Sequence, residues 1–410
     1  MTLVTGLDIG TTKVCCLATQ RQPDGTLQVV AYGVAPCKGV RQGQVVDMEQ
    51  TVAAIQHAVH EAQTMGDIAI TGAVVGVTGE HIESIQRRGE ITITRPNREV
   101  TQEDLERLRF HLQQLHLPPD RELLHTLIRQ YIIDGQSGIL NPLGMSASHL
   151  QAEATLITGG VTFLQNLRRC VERAGIEVLA MALEPYASGL ATLSPEEREI
   201  GVALVDIGGG TTDVAIFLEG GLMFSSAVPV GGNQVTRDVY IMFRLADPQE
   251  AERLKCEFGS ALAERVPETE RVSYREMGTH EERRVPRRLF TEVIEERMRE
   301  ILELAREEIE RSGLYDRLAA GVVLTGGGSC LPCTAELGRQ VFGSLPVRIG
   351  TPQLPGAPMP SVLQGPAYAT AVGLALYGAQ VLPDTHGTVA PAHLWKQLVQ
   401  TFRRWFRRNR

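Results

Sequence analysis

The sequence predicts an α/β fold of two similar domains, with an α+β subdomain inserted into the first domain and a C-terminal amphipathic helix. A loop motif occurs twice, as LDIGTTKV over residues 7–14 and as VDIGGGTTDV over residues 205–214. Each copy follows an apolar strand and leads into another, so each is expected at the tip of a hairpin. A chain of 410 residues is also longer than one hydrophobic core usually organises. The chain is therefore expected to be duplicated into two halves.

The first domain is expected to comprise residues 1–81 and 159–200. In its first helix, Val52, Ile55 and Val59 have helical spacing. The elements predicted after the first hairpin are a helix over 47–64, a strand over 73–77, a helix over 161–174 and a strand over 178–183. Strands and helices therefore alternate both before and after residues 82–158, which have another pattern.

That segment, residues 82–158, is the predicted inserted subdomain. Ile91 and Ile93 alternate with polar residues as in a half-buried strand, and a charged amphipathic helix is predicted over 101–115. Turns are expected at Asp134-Gly135 and Asn141-Pro142.

The second domain is expected to comprise residues 201–246 and 316–383, with a helical lobe over 247–315. Helical spacing in the lobe is kept by Leu289, Val293, Ile294, Met298, Ile301, Leu302 and Ala305. A charge-rich helix is most often a solvated surface, and that alternative stays open for this lobe. A strand over 321–324, a third glycine loop over 325–329 and a helix over 366–382 complete the domain.

The two repeated loops have the chemistry of a phosphate-binding site. Backbone N–H groups and hydroxyls are exposed together there, and glycine permits close approach. The residues concerned are Gly10, Thr11 and Thr12 in the first loop and Gly208, Gly209, Gly210, Thr211 and Thr212 in the second. Asp8 and Asp206, at the strand ends, are expected to hold magnesium through water molecules. One such loop is weak evidence, because Asp-x-Gly turns are common in hairpins, but two facing loops can enclose three phosphates and one ion.

The third loop adds Gly326, Gly327 and Gly328, a surface free of side chains that suits the base or sugar of a nucleoside. The sequence contains neither the Gly-x-x-x-x-Gly-Lys-Ser/Thr motif nor Gly-x-Gly-x-x-Gly. The predicted nucleotide site is thus of neither the Walker nor the Rossmann kind.

The C-terminal segment 393–410 differs from the rest of the chain in charge. The formal net charge is −8, and this segment holds six cations and no acid, which leaves −14 for the rest. An acidic body argues against nucleic acid as a partner. The apolar stripe of the segment comprises Leu394, Trp395, Leu398, Val399, Phe402, Trp405 and Phe406, and its cations include Arg403, Arg404, Arg407 and Arg408. An anionic membrane surface is the expected partner, reached through the linker 384–392, and a calmodulin-type target helix is the alternative.

The seven cysteines are odd in number and lie mostly in apolar runs, so they are expected to be reduced and buried. Cys330 and Cys333 have the spacing of a redox motif or of half a zinc site, but no second pair completes a metal shell. Neither a secretory signal nor a run of about 20 apolar residues is recognisable, so a soluble body is expected.

In its three loops, at residues 8–13, 206–213 and 325–329, the chain resembles the superfamily of actin, sugar kinases and heat-shock chaperones. Together with the NPLGM sequence at 141–145 and the basic end, these loops resemble the FtsA family of bacterial division proteins. The resemblance implies an actin-like fold with duplicated, ribonuclease H-like domains and ATP in the cleft. It also implies that Glu184 positions the attacking water.

The same resemblance implies roles for further residues around the nucleotide. Lys13 neutralises phosphate charge, and Lys255 and Glu257 reach the ribose and adenine opposite Gly328. Cys333 departs from the family pattern, because Leu331-Pro332 is usually followed by glycine in the family. Binding loops do not by themselves specify how fast ATP is hydrolysed.

The partners implied by the resemblance are the C-terminal peptide of the tubulin-like protein FtsZ, further copies of the chain in a filament, and later division proteins. Arg287 and Arg297, which flank the docking segment 291–295, are the candidates for the acidic FtsZ peptide. The expected location is the cytoplasmic face of the bacterial membrane at the division site. The alternatives are a sugar kinase, a peptide-binding chaperone and another actin-like scaffold of the pilus-assembly or rod-shape type.

Overall fold

The computed structural model describes residues 3–278, 282–356 and 358–382. The first half contains β1 (Leu3–Ile9), β2 (Lys13–Arg21), β3 (Leu27–Pro36), β4 (Val40–Arg41), β5 (Gln44–Val45), α1 (Met48–Gly66), β6 (Gly72–Val77), β7 (Glu83–Thr92), α2 (Gln102–Gln113), β8 (Arg121–Ile133), β9 (Gln136–Ile139), β10 (His149–Gly160), α3 (Val161–Arg173), β11 (Glu177–Leu183), α4 (Glu184–Thr192) and α5 (Pro195–Ile200). The second half contains β12 (Val202–Ile207), β13 (Thr212–Leu218), β14 (Gly221–Val228), α6 (Gly232–Met242), α7 (Pro248–Phe258), β15 (Arg271–Arg275), β16 (Glu282–Pro286), α8 (Arg287–Arg311), β17 (Gly321–Thr325), α9 (Thr334–Phe342), β18 (Val347–Ile349) and α10 (Ala369–Val381).

The two main sheets have the same topology. The first has the order β3-β2-β1-β6-β11 and the second the order β14-β13-β12-β17-β18. In each sheet the first three strands are antiparallel neighbours and the remaining strands join in parallel. Equal order and equal strand direction confirm the predicted duplication, and the two repeated loops lie at the tips of the β1–β2 and β12–β13 hairpins.

Helices α4 and α10 connect the two domains and cross closely. A Cβ atom on Gly373 would lie 1.9 Å from the carbonyl oxygen of Ala187, so only glycine fits at this crossing. Helix α10 packs on the first sheet, where Ala371, Val372 and Ala375 share a core cluster with Cys15 and Leu17. We expected residues 316–383 to belong to the second domain throughout. Helix α10 instead belongs to the core of the first domain, because its apolar face packs on the first sheet.

The insert forms a sheet of its own, with the antiparallel order β7-β10-β8-β9. Helix α2 covers one face through the buried side chains of Leu108 and Leu112. Thr101 and Asp104 form a capping box that fixes the start of this helix. An α+β insert was predicted, and its strands extend from Glu83 to Gly160.

The insert contacts both main domains. The guanidinium of Arg129 pairs with Glu153 in the insert and with Glu219 at the turn between β13 and β14. Towards the first domain, Nε2 of His125 accepts a 3.0 Å hydrogen bond from the backbone N–H of Leu183. Since Leu183 precedes Glu184, the insert is bonded directly to the strand end that carries a candidate site residue.

The lobe of the second domain is not wholly helical. Helices α7 and α8 lie in the predicted lobe and pack with α6, which precedes it, but β15 and β16 form an additional antiparallel hairpin. These strands read RVSYR and ERRVP, and Val272 is their only fully buried apolar residue. The alternation that reveals a strand in sequence is therefore too weak to predict this hairpin.

Candidate functional site

The two repeated loops face each other across the cleft. A Cβ atom on Gly210 would lie 2.5 Å from Oγ1 of Thr11, and one on Gly209 would lie 2.4 Å from Cγ2 of Thr12. The glycines of the second loop are thus required for the close approach of the two domains. Each loop contains the same internal hydrogen bond of 2.9 Å. The N–H of Gly10 donates to the carbonyl oxygen of Lys13 in the first loop, and the N–H of Gly208 donates to that of Thr211 in the second.

Asp8 and Asp206 end β1 and β12, and both are buried at 7% exposure. Burial raises the pKa of Asp8 to about 6, with Lys13 opposing the rise and Asp206 adding to it. Burial likewise raises the pKa of Asp206, opposed first by a hydrogen bond that the Ser188 hydroxyl donates over 2.7 Å. The two predicted aspartates therefore influence each other across the cleft.

Two further carboxyl groups join this pair. Glu184 begins α4 at the end of β11, and a Cβ atom on Gly76 would lie 2.9 Å from its Oε1. Burial raises the pKa of Glu184 well above its usual range, and Asp8, Asp213 and Asp206 raise it further. Glu184 is half-buried and lies close enough to the three aspartates of the cleft for their charges to act on it.

Asp213 was missed as a site residue. It accepts a hydrogen bond from the Thr78 hydroxyl, and burial raises its pKa to about 7, helped by Asp206. Its position in the second loop, directly after Thr211 and Thr212, was the feature of the sequence that could have indicated a role in the site. The corresponding residue of the first loop is Lys13, so comparison of the two copies hid the acid.

Three buried aspartates and the half-buried Glu184 lie near one lysine and form a site that fits a hydrated cation. Across residues 3–278, 282–356 and 358–382, no group of three or more His, Cys, Asp or Glu side chains is placed to hold a metal ion directly. A magnesium ion bound here would therefore take most of its ligands from water and phosphate oxygens, as this ion prefers.

Lys13 lies beside the carboxylates but has contacts of its own. Its Nζ atom bonds to the carbonyl oxygen of Ala367 and lies 4.1 Å from the ring centre of Tyr368. The lysine charge still lowers the pKa of both Asp8 and Asp206. It thus lies at the first loop, as expected, while also connecting that loop to the segment before α10.

A cavity of about 200 Å³ lies next to the loops. Of the predicted nucleotide residues, Thr12, Gly208, Gly209, Lys255, Gly327 and Gly328 line it. Gly326 lies against the acid cluster instead, where its φ is +81° and a Cβ atom would meet Oδ1 of Asp206 at 2.3 Å. The cavity therefore borders all three glycine loops and the lobe.

The placement of Glu257 corrects the sequence prediction. Its carboxylate pairs with Arg253 at 2.6 Å and does not line the cavity. Glu252 lines it instead and pairs with Lys255 at 2.7 Å. Glu252 and Lys255 are three residues apart and share one face of α7, whereas Glu257 lies on another face.

Cys333 has a left-handed backbone with φ +66° at the start of α9. This conformation favours glycine, so the departure from Leu-Pro-Gly places a side chain on a backbone suited to glycine. The expectation that the cysteines are buried holds for Cys15, Cys16, Cys37 and Cys170, whereas Cys256 and Cys330 are exposed and Cys333 is half-buried.

The lobe carries a groove of about 480 Å³ between α6 and α8. Arg297 lines it, bonding through Nε to Asp238 at 2.5 Å. Arg287 does not line the groove, because its Nε donates to the carbonyl oxygen of Phe258 at 2.7 Å and its Nη1 pairs with Glu270. The structure therefore separates the two predicted arginines.

The predicted linker 384–392 and amphipathic segment 393–410 lie outside the described residues. Within the part of the chain that the structure describes, no helix has the length and apolar character needed to span a bilayer.

Two family models match the chain. Residues 203–373 match the model described as cell division protein FtsA, and residues 79–158 match the SHS2 domain inserted in FtsA. The chain is 41% identical to the cell division protein FtsA of Pseudomonas aeruginosa, over 93% of this chain and 90% of that protein. It is 37% identical to FtsA of Escherichia coli K12, over 92% and 90%, and 36% identical to FtsA of Bacillus subtilis 168, over 91% and 82%.

Solved structures share the actin-like fold at lower identity. The PilM-PilN type IV pilus biogenesis complex has a TM-score of 0.62 at 18% identity, covering 92% of this chain and 98% of that one. MreB5 of Spiroplasma citri bound to ADP has a TM-score of 0.54 at 15% identity, covering 94% and 97%. The same MreB5 bound to AMPPNP has a TM-score of 0.55 at 14% identity, covering 98% and 99%. These likenesses confirm the predicted two-domain α/β fold, and the match of residues 79–158 to the SHS2 domain confirms the insert.

Proposed function

The chain belongs to the FtsA family of cell division proteins, and from that premise we propose that it is an ATP-controlled adaptor that holds FtsZ at the membrane. The observation that carries the proposal is that two glycine loops meet over three buried aspartates and the half-buried Glu184, beside a cavity that could take a nucleoside. Relatives of the same fold have been solved with ADP and AMPPNP, which supports a nucleotide in this cleft.

In this proposal, backbone N–H groups of the two hairpin loops bind the phosphates of ATP, and Asp8 and Asp206 hold magnesium through water. The ion supplies positive charge that offsets the phosphates and the carboxylates together. Lys255, which lines the cavity and pairs with Glu252, would contact the ribose. Lys13 adds a second cation near the phosphates.

Glu184 and Asp213 have the environment of proton-holding groups. Their raised pKa values leave protons on them at a pH where an exposed carboxyl group is ionised. We assign Glu184 to orienting the water that attacks the terminal phosphate, with Asp213 beside it. Slow turnover would suit a nucleotide that acts as a conformational ligand.

Titration calorimetry with ATP tests the nucleotide part of the proposal. Binding is expected with magnesium and should weaken strongly when EDTA removes the ion, since the carboxylates then face the phosphates uncompensated. Equal affinity in both conditions would contradict the magnesium assignment. Rapid phosphorylation of a small sugar would instead favour the kinase alternative.

The FtsZ peptide is assigned to the groove between α6 and α8. Ile241 and Met242 line it with apolar side chains that are 54% and 66% exposed, and Arg297 and Arg299 line it with guanidinium groups. Asp238, Glu296, Glu300 and Glu303 line the groove as well, and Arg297 pairs with Asp238 and Glu300. The acidic residues of the peptide would therefore replace these carboxylates at Arg297, while its apolar residues cover Ile241 and Met242. A fluorescent FtsZ C-terminal peptide should bind Arg297→Ala more weakly than wild type. Arg287→Ala serves as the matched control, and a greater loss there would place the peptide elsewhere.

Self-association is assigned to the tip of the insert. Leu140, Leu143 and Met145 are exposed there, with Leu140 reaching 77%. Exposed apolar residues concentrated in one loop are typical of a contact surface. Filaments on lipid monolayers, seen by electron microscopy, should disappear with Leu140→Ser combined with Leu143→Ser, while the thermal unfolding temperature stays near that of wild type.

Membrane attachment is assigned to residues 393–410, on the amphipathic pattern of their sequence. Deletion of the segment should abolish sedimentation with anionic liposomes, and neutral liposomes serve as the control for charge. Unchanged sedimentation would refute this assignment. Attached in this way, the chain would act at the cytoplasmic face of the division site and there meet later division proteins.

A further inference from the structure

Two of the seven cysteines line the proposed nucleoside cavity, from different elements. Cys256 projects from α7, and Cys330 lies in the short helical turn over 327–330 that follows the third glycine loop. The thiol of Cys256 donates a hydrogen bond of 3.4 Å to Oε1 of Glu252, which lines the same cavity. A ligand in this cavity would therefore lie beside both cysteines.

Exposure separates these two thiols from the others. Cys256 and Cys330 are the exposed pair, four cysteines are buried, and Cys333 is half-buried. Burial and packing against strands of the first domain protect Cys15, Cys16 and Cys37, and the same holds for Cys170 on α3. A thiol reagent that approaches the folded protein thus finds the two most exposed cysteines at the proposed nucleotide site.

We propose that Cys256 and Cys330 form a modification site for small disulfides, and that such modification and nucleotide binding exclude each other. The proposal rests on the proposed function, because it takes the cavity to be the place where the nucleoside binds. In the modified state, the attached group fills a cavity of about 200 Å³ that the nucleoside would otherwise occupy. The chain would then lose its nucleotide under oxidising conditions and recover it when reduced.

The chemistry is thiol–disulfide exchange with glutathione disulfide as the co-reactant. The cysteine loses its proton to water, and the thiolate attacks one sulfur atom of the disulfide. A new S–S bond forms to the protein while the old S–S bond breaks, and glutathione leaves as a thiolate that takes up a proton. No net electron is gained or lost by the pair of reactants, and excess dithiothreitol reverses the step.

The surroundings of the two thiols predict which one reacts first. Burial raises the pKa of both. At Cys256 the carboxylate of Glu252 raises the pKa further, and the charge of Lys255 opposes part of this rise. At Cys330, the backbone N–H of Ala367 and the charge of Lys13 act in the opposite direction. Because the thiolate is the reactive form, Cys330 should be modified before Cys256.

The test treats the full folded chain with glutathione disulfide and locates the adducts by peptide mass spectrometry. Adducts are expected first on Cys330 and then on Cys256. Nucleotide at ten times its dissociation constant should slow the reaction about tenfold, because only the free protein reacts. Isolated adduct should no longer bind a fluorescent ATP analogue, and dithiothreitol should restore binding.

Variants keep the proposal falsifiable. Cys256→Ser combined with Cys330→Ser should remove the effect of glutathione disulfide on ATP binding, whereas Cys333→Ser should leave it in place. Earlier modification of Cys333 or of a buried cysteine would overturn the proposal, and so would an adduct that binds ATP as tightly as untreated protein. If untreated protein binds no ATP at all, the proposed function fails, and adducts on Cys330 would still show which thiols are accessible.

Discussion

The hydroxyl of Ser188, on α4, donates a 2.7 Å hydrogen bond to Oδ2 of Asp206 at the end of β12. Thr370, at the start of α10, lies 3.0 Å from the same hydroxyl and 3.4 Å from the same carboxylate oxygen. One carboxylate of the site is thus bonded to both of the helices that cross between the domains. A change in its charge or in its ion would act directly on this crossing.

Ser188→Ala should therefore destabilise the protein in a pH-dependent way. Hydrogen bonds to charged groups contribute about 1.5–3 kcal/mol, and this one lowers the pKa of Asp206. The loss should be larger at pH 8, where the carboxylate is ionised, than at pH 4. Urea unfolding at both values measures the difference. Ser260→Ala is the matched control, because the Ser260 hydroxyl bonds to neutral backbone carbonyls, and a pH-dependent loss there would contradict the argument.

The raised pKa values of Asp8 and Asp213 predict that free protein loses stability as pH rises. Both carboxyl groups ionise near pH 4 in the unfolded chain but only at about 6 and about 7 in the folded one. Between these values the folded state holds more protons, so the free energy of unfolding falls as pH increases from about 4 to about 7. Above that range the full penalty remains.

Asp213→Asn tests this sign. The amide oxygen still accepts the Thr78 hydroxyl, but the buried charge is gone, so the variant should be more stable than wild type at pH 8 by roughly 1–4 kcal/mol, at about 1.4 kcal/mol per pKa unit. The gain should vanish near pH 4. Denaturant titrations across this range measure it, with the exposed Asp316→Asn as control. A gain independent of pH would show that ionisation of Asp213 is not its cause.

Gly210→Val should prevent the two loops from meeting. Its Cβ atom would lie 2.5 Å from Oγ1 of Thr11 and 3.0 Å from the backbone nitrogen of Gln42, so the domains must separate. We expect ATP affinity to fall by two orders of magnitude or more, equivalent to about 3 kcal/mol. Gly365→Ala is the control, since its nearest neighbour is 3.9 Å away. Calorimetric titration of both variants decides the matter, and unimpaired binding by Gly210→Val would remove the loops from the site.

The sequence predicted the duplicated fold well because its signals are local. A strand that runs into a glycine loop is readable wherever it occurs, and the second copy supports the first. Asp213 was missed because its role depends on burial and on Thr78, which lies 135 residues away. Packing of α10 on the first sheet was equally invisible, since an apolar helix does not specify which sheet it covers.

Glu252 and Glu257 illustrate the same limit at the level of one helix. Both are acids on α7 near Lys255, and a family pattern alone does not say which of them faces the cavity. The register of the helix decides it, because Glu252 pairs with Lys255 while Glu257 pairs with Arg253. Glu252→Gln should therefore weaken ATP binding several-fold, and Glu257→Gln should leave the calorimetric affinity within about twofold of wild type. The reverse order would restore the sequence prediction.

Cys333 allows a test of backbone strain beside the cavity. At φ +66° a β-branched residue is strongly disfavoured, whereas glycine adopts this conformation freely. Cys333→Val should be less stable than Cys333→Gly by about 1–2 kcal/mol, on the usual penalty for a left-handed residue. Valine is larger and more apolar than cysteine, so a lower stability of Cys333→Val than of Cys333→Gly could not come from lost packing against the neighbouring core. Thermal and urea unfolding of both variants measure the difference, and a more stable valine variant would show that packing outweighs backbone strain at this turn.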